Sequence, residues 1–179
     1  HMADQGYNNN LDYPPSWVKT KYGVDQIFDK SHFNPGFCIK DYSNPDEVRK
    51  GRLCRAGETR GGLPDLDLKQ PYVLNVHKTY LKKLSDMGVA GFRFDAAKHM
   101  ETEYFENLLN EAVGNEKLVF AEIIANRFTY DRDITPYLEK TRLKLMDFPL
   151  QSTMKEAFSW QGDIRWLLMG NRYKMALPG

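Results

Sequence analysis

The chain has 179 residues, a formal net charge of +1 at pH 7 and 27% charged residues. That length can enclose one sizeable core, and the balanced charge speaks against a polyanion partner such as nucleic acid. No apolar run approaches the roughly 18 residues of a membrane span. No glycine-rich phosphate loop or paired Cys-x-x-Cys is present, so nucleotide and zinc chemistry have no support.

Residues 3–68 are dense in turn dipeptides: Asn34-Pro35-Gly36, Asn44-Pro45 and Gly61-Gly62 recur too often for long helices. Val24 to Phe28 is a candidate strand and Pro45 to Lys50 a candidate helical turn. Cys38 and Cys54 suit a disulfide or two free thiols equally, so the redox compartment stays open. Tyr7, Tyr13, Trp17 and Tyr42 either line a cleft or pack a small irregular core. Asp65 and Asp67 close this stretch as an acidic turn ahead of a helix.

That helix opens at Pro71 and stops at Gly88, with Val73, Val76, His77, Tyr80, Leu81 and Leu84 on one face. His77 reads as a packed histidine rather than a ligand. Val89 to Phe94 is a short strand ending in Asp95. Alternation points Arg93 and Asp95 to the same side and Phe94 away. A second amphipathic helix carries Phe105, Leu108, Leu109, Ala112 and Val113 and ends at Gly114. Leu118 to Ala125 is an apolar run broken by Glu122, the pattern of a central parallel strand buried on both faces. A charge inside such a run is costly, so Glu122 faces a cleft or carries a proton.

Asp95 and Glu122 lie 27 residues apart, the length of one βα unit, which brings both carboxylates to the C-terminal ends of adjacent strands. Adjacent strands are ~4.8 Å apart, compatible with the roughly 5–5.5 Å between carboxyls in retaining glycosidases. Thr135-Pro136 reads as the cap and first turn of a third helix, and Leu143 to Phe148 as a strand ended by Pro149. Short helices follow at Ser152 to Phe158 and Asp163 to Met169.

Gly91 to His99 (GFRFDAAKH) resembles the nucleophile segment of the α-amylase family of glycoside hydrolases, where Asp follows Arg by two and Lys-His comes shortly after. Leu63 to Asp67 (LPDLD) resembles a second family motif. His1-Met2 alone reads as a cloning scar, but HMADQGYNNN is also similar to the continuation of the family's Asp-x-x-x-Asn-His segment.

The resemblance implies an α/β fold: a partial TIM (β/α)8 barrel, about strands four to six, with an irregular inserted domain at its N-terminal side. Residues 1–68 would be that insertion after barrel strand three, and 69–179 the partial barrel. It implies retaining hydrolysis of α-1,4-glucosidic bonds in starch- or glycogen-like glucans, with Asp95 as nucleophile and Glu122 as acid/base. Arg93 would hold Asp95 ionised, and desolvation by Phe120, Ile123 and Ile124 would raise the Glu122 pKa. His1, Arg93, Lys98 and His99 would bind substrate. Asp65 and the backbone oxygen of His99 would ligate a structural calcium. The family's third carboxylate follows the seventh strand, outside this chain, so Asp147 reads as structural or as part of the cleft rim. Rival readings are a transglycosylase or isomerase of the same family and a non-catalytic sugar-binding relative. The residues themselves give no compartment; the resemblance points to a secreted enzyme, of which this segment alone is expected to be inactive.

Overall fold

The computed structural model describes residues 11–58 and 61–168. The chain divides into two compact units, His1–Val76 and His77–Gly179.

In the first unit, helix α1 (Ser16–Tyr22) and helix α2 (Pro45–Lys50) are short and joined by irregular chain. Asn44 caps α2, its side-chain oxygen accepting from the Asp46 N–H at 3.1 Å, with Pro45 in the first turn. Among the described residues of this unit the backbone pairs only at isolated points: Tyr13 with Phe28, Phe33 with Leu66, Cys38 with Arg52 and Leu53 with Leu63. Val24 to Phe28 is therefore not a strand. Val24 is exposed, and only the far end of the run meets the core and a neighbour, Ile27 packing against the cluster and Phe28 pairing with Tyr13. Phe28, Phe33, Leu66 and Val73 make that core, and Tyr13 packs against it. Cys38 and Cys54 are joined in a disulfide that closes the α2 segment into a loop. Such a small core gains from a crosslink that restricts the unfolded chain.

The boundary between the units falls within helix α3 (Pro71–Asp86). Val73 and Leu81 are buried as the periodicity predicts, but Tyr80 is 60% exposed. Gly88 then turns the chain with φ 95°, a region open to glycine.

The second unit is a three-stranded parallel sheet in the order β1 (Gly91–Phe94), β2 (Leu118–Ala121), β3 (Lys144–Leu145). Gly91 faces Leu118, and a Cβ on Gly91 would stand 2.5 Å from the Leu118 carbonyl oxygen, so only glycine allows this approach. Helix α4 (Thr102–Ala112) connects β1 to β2 and buries Phe105, Leu108, Leu109 and Ala112. Phe94 meets Phe105 edge-on at 5.2 Å between ring centroids. Helices α5 (Tyr130–Asp133) and α6 (Thr135–Lys140) lead from β2 to β3, and α7 (Phe148–Ala157) follows β3. A 3-10 turn spans Ile164–Leu168.

Within this unit, and among the described residues, one face of the sheet is covered. Val119, Ala121 and Leu145 are buried, whereas Leu118 is 52% and Met146 38% exposed. The expectation that β2 is buried on both faces thus holds for its helix-covered side alone. Three local readings also change. Thr135 is the first residue of α6 rather than its cap: Ile134 occupies that position, with no capping side chain. The third strand shortens to two residues, and Pro149 sits in the first turn of α7 instead of ending a strand. Proline suits a helix start because its missing N–H has no partner there anyway.

His77 Nδ1 lies 2.8 Å from the Tyr104 hydroxyl, and the rings meet edge-on. Burial pushes the imidazole down from 6.5 to about 4 and pushes the Tyr104 phenol up. Because the folded pKa lies below the unfolded one, the unfolded chain binds more protons between those values. The contribution is complete above pH 6.5 and is lost as pH falls to about 4. After discounting for solvent at a half-buried ring, it is on the order of 2 kcal/mol. His77→Gln should therefore flatten the fall in urea midpoint over that window; an unchanged slope would remove His77 as the cause.

Candidate active site

Parallel pairing brings the two carboxylates together. Phe94 is in register with Ala121, so Asp95 and Glu122 follow one step further along adjacent strands and on the same, uncovered face. The Glu122 N–H donates to the Phe94 carbonyl at 2.9 Å, and the Ala97 N–H donates to the Glu122 carbonyl at 2.9 Å. The backbone ladder thus continues past the strand ends and stitches one carboxylate's segment to the other's.

Arg93 spans the pair. Its Nη1 lies 2.8 Å from Asp95 Oδ1 and its Nη2 3.2 Å from Glu122 Oε2. Two carboxylates at one place repel, and a guanidinium between them offsets that repulsion while orienting both. The Asp95 side chain is 70% exposed and that of Glu122 only 23%. The more open of the two acids is the one the resemblance reads as nucleophile, and the more enclosed is the one it reads as acid/base. Of the apolar neighbours expected to dry Glu122, Ile123 is fully buried and Ile124 is 66% exposed.

Beyond Asp95 the chain turns sharply. Ala96 adopts φ 47°, in the left-handed region that non-glycine residues seldom visit, and a 3-10 turn follows at Ala97–His99. The Tyr137 hydroxyl sits behind this turn, within hydrogen-bond reach of the Ala97 carbonyl at 3.2 Å and the Met100 carbonyl at 2.6 Å. His99 is buried in the turn. Lys98, expected at substrate, directs its ammonium to Asp133 Oδ2 at 2.8 Å.

Asp133, which sequence reasoning did not single out, is 6% exposed. Arg132 also grips it, with Nε 2.7 Å from Oδ1 and Nη2 2.9 Å from Oδ2. Burial alone would push this carboxyl up, but hydrogen bonds and charge from Arg132 and Lys98 hold it below the ordinary range. Asp147 caps α7, its Oδ1 accepting from the Leu150 N–H at 2.9 Å.

The expected calcium ligands are the Asp65 carboxylate and the His99 backbone oxygen. Asp65 and His99 belong to different units. Asp65 is buried, and its Oδ2 accepts from Asn34 Nδ2 at 2.8 Å. Among the described residues no group of three or more His, Cys, Asp or Glu could hold a metal ion, whereas calcium takes six to eight oxygens. His1 lies outside the described residues.

No family model matches the chain. An α-amylase from Aeromonas hydrophila is 32% identical over 199 aligned residues, which take in all of this chain and 42% of the relative. The chain belongs to the α-amylase family. Two solved structures of like fold agree with that membership. One is an α-amylase I from Eisenia fetida in complex with maltohexaose, at 26% identity and TM-score 0.60 over 75% of this chain and 28% of that one. The other is a cyclomaltodextrin glucanotransferase, at 26% identity and TM-score 0.61 over 71% and 25%. The chain spans under half the length of each of these proteins.

The contacts behind the turn carry a testable cost. Tyr137→Phe removes a hydroxyl placed between two carbonyls and should destabilise the protein by about 1–2 kcal/mol. Urea denaturation measures it, and no change in midpoint would show that water satisfies both carbonyls.

Proposed function

We propose that these residues carry the nucleophile and the acid/base of an enzyme that hydrolyses α-1,4-glucosidic bonds in starch- or glycogen-like glucans with retention. One observation supports this above the rest: Asp95 and Glu122 stand on one sheet face, joined by the Arg93 guanidinium. Adjacent-strand spacing suits a retaining pair, in which one carboxylate attacks while the other protonates the leaving oxygen. Asp95 attacks the anomeric carbon as Glu122 gives its proton to the departing glucosyl oxygen, and a glycosyl-enzyme forms. Glu122, now ionised, takes a proton from water, and that water displaces Asp95. Arg93 aims Asp95 for the attack and meets its carboxylate again when water displaces it. His1 and His99 are proposed as substrate contacts on the resemblance alone.

In this reading the open sheet is an arc of a (β/α)8 barrel, strands four to six, and residues 1–68 are the insertion that precedes it. The uncovered face would then be barrel interior, and the 179 residues by themselves would not hydrolyse a glucan. Calcium at Asp65 and the His99 carbonyl remains part of the proposal, and no step depends on it. The Cys38–Cys54 disulfide favours an oxidising compartment, in line with secretion. Among the described residues no helix is long and apolar enough to cross a membrane.

The glucanotransferase neighbour supports a second reading, in which a sugar hydroxyl replaces water in the second step. Incubating the full-length protein with maltohexaose separates the two: glucose and short oligomers mark hydrolysis, longer or cyclic products mark transfer.

Trapping with a fluorinated glucosyl donor followed by mass spectrometry should label the peptide containing Asp95, and Asp95→Asn should abolish the label. A label on any other peptide would sink the nucleophile assignment. Glu122→Gln should slow natural glucans by roughly 10²–10⁴-fold while sparing donors with activated aryl leaving groups. Equal losses on both substrates would point to another acid.

A further inference from the structure

We propose that Asp133 is a positioning residue, acting through Lys98 to fix the turn that presents Asp95; the proposal rests on reading Asp95 as the nucleophile. Lys98 lies three residues after Asp95, on the far side of the left-handed Ala96. Its ammonium is 2.8 Å from Asp133, whose side chain is 5% exposed. A buried carboxylate cannot release its partners cheaply. Yet Asp133 does not need Lys98 for neutrality, because Arg132 already reaches both of its oxygens. The consequence of the second cation therefore falls on Lys98 and on the turn it belongs to. Asp133 ends α5, the first helix after the strand that leads to Glu122. Together with Tyr137 on α6, it holds residues 97–100, the stretch that follows Asp95. The layer behind the acid's strand thereby sets where the nucleophile's turn stands.

A lysine bound this way is a brace for the turn, which gives Lys98 a different role from the sugar contact that the resemblance implies. The two roles separate in kinetics, because a contact made equally with bound substrate and transition state changes KM, whereas misplacing a nucleophile changes kcat.

The test measures kcat and KM on maltohexaose for Lys98→Met, Asp133→Asn and the double variant of the full-length protein. Lys98→Met leaves Asp133 paired with Arg132, so it removes the brace without stranding a buried charge. It should lower kcat by roughly 10- to 100-fold, the scale of a nucleophile displaced by up to ~1 Å. KM should stay within about two-fold. Asp133→Asn should match it, the double variant should be no worse than either single one, and Lys98→Arg should restore part of kcat. A raised KM with unchanged kcat would overturn the proposal in favour of a sugar contact, and so would additive losses in the double variant. If Asp133→Asn does not fold, the Met and Arg variants of Lys98 decide alone. Asp95→Asn separates the two levels of inference. Full turnover by that variant would refute the nucleophile reading itself, while its inactivity beside a fully active Lys98→Met would refute only the brace.

Discussion

Two carboxylates in register at the ends of parallel strands would repel if nothing stood between them, and the guanidinium of Arg93 is what makes the arrangement stable. Its fork has two arms in a fixed plane, and each arm meets one acid. A lysine in its place would offer a single point of charge. Arg93 comes from the same strand as Asp95, two residues earlier, so strand alternation alone brings guanidinium and carboxylate to one side. Glu122 arrives by strand pairing. The site thus depends on two separate regularities, the period of a strand and the register of a sheet, and Arg93 is where they meet.

Register in turn depends on how closely β1 and β2 can approach. Gly91 lies against the Leu118 carbonyl, where any side chain would intrude. From that first pair the strands run in step to Phe94 and Ala121, and the hydrogen bond from Ala97 N–H to the Glu122 carbonyl carries the coupling into the turn. A slip of one residue would turn Glu122 to the opposite face of the sheet from Asp95 and leave a charge against buried Phe105. Packing on the helix side, through Phe94 and Phe105, therefore protects chemistry on the open side.

Much of this is legible in the amino-acid sequence. Phe105, Leu108, Leu109 and Ala112 follow helical spacing and are buried, and the distance from Asp95 to Glu122 is that of one βα unit. Both are local regularities, and periodicity records them. Tyr80 follows the same spacing yet is exposed, because period marks a face without saying what lies opposite. Asp133 was not legible at all. Residues 131–133 read Asp-Arg-Asp, the composition of a solvated loop, and the second cation on Asp133, Lys98, lies 35 positions earlier. Charge pairing between distant segments leaves no periodic trace. The Cys38–Cys54 bridge was undecided for a similar reason, since a short spacing permits a crosslink without requiring one.

The open face adds a last constraint. Leu118, Phe120 and Met146 lie on the same side of the sheet as Asp95 and Glu122, and the first and last of them are substantially exposed. Apolar side chains in that number beside two acids and an arginine make a poor surface for water, and they suit a wall around a charged centre. Inside a closed barrel the same residues would lower the polarity around Glu122 while Arg93 offsets part of the pair's negative charge. Closure would strengthen both attractions made by the guanidinium, since Coulomb interactions grow as water is excluded. The carboxylate pair and the apolar wall are in that sense one device. Arg93 makes two acids tolerable on one face, and exclusion of water would sharpen the opposite roles proposed for them.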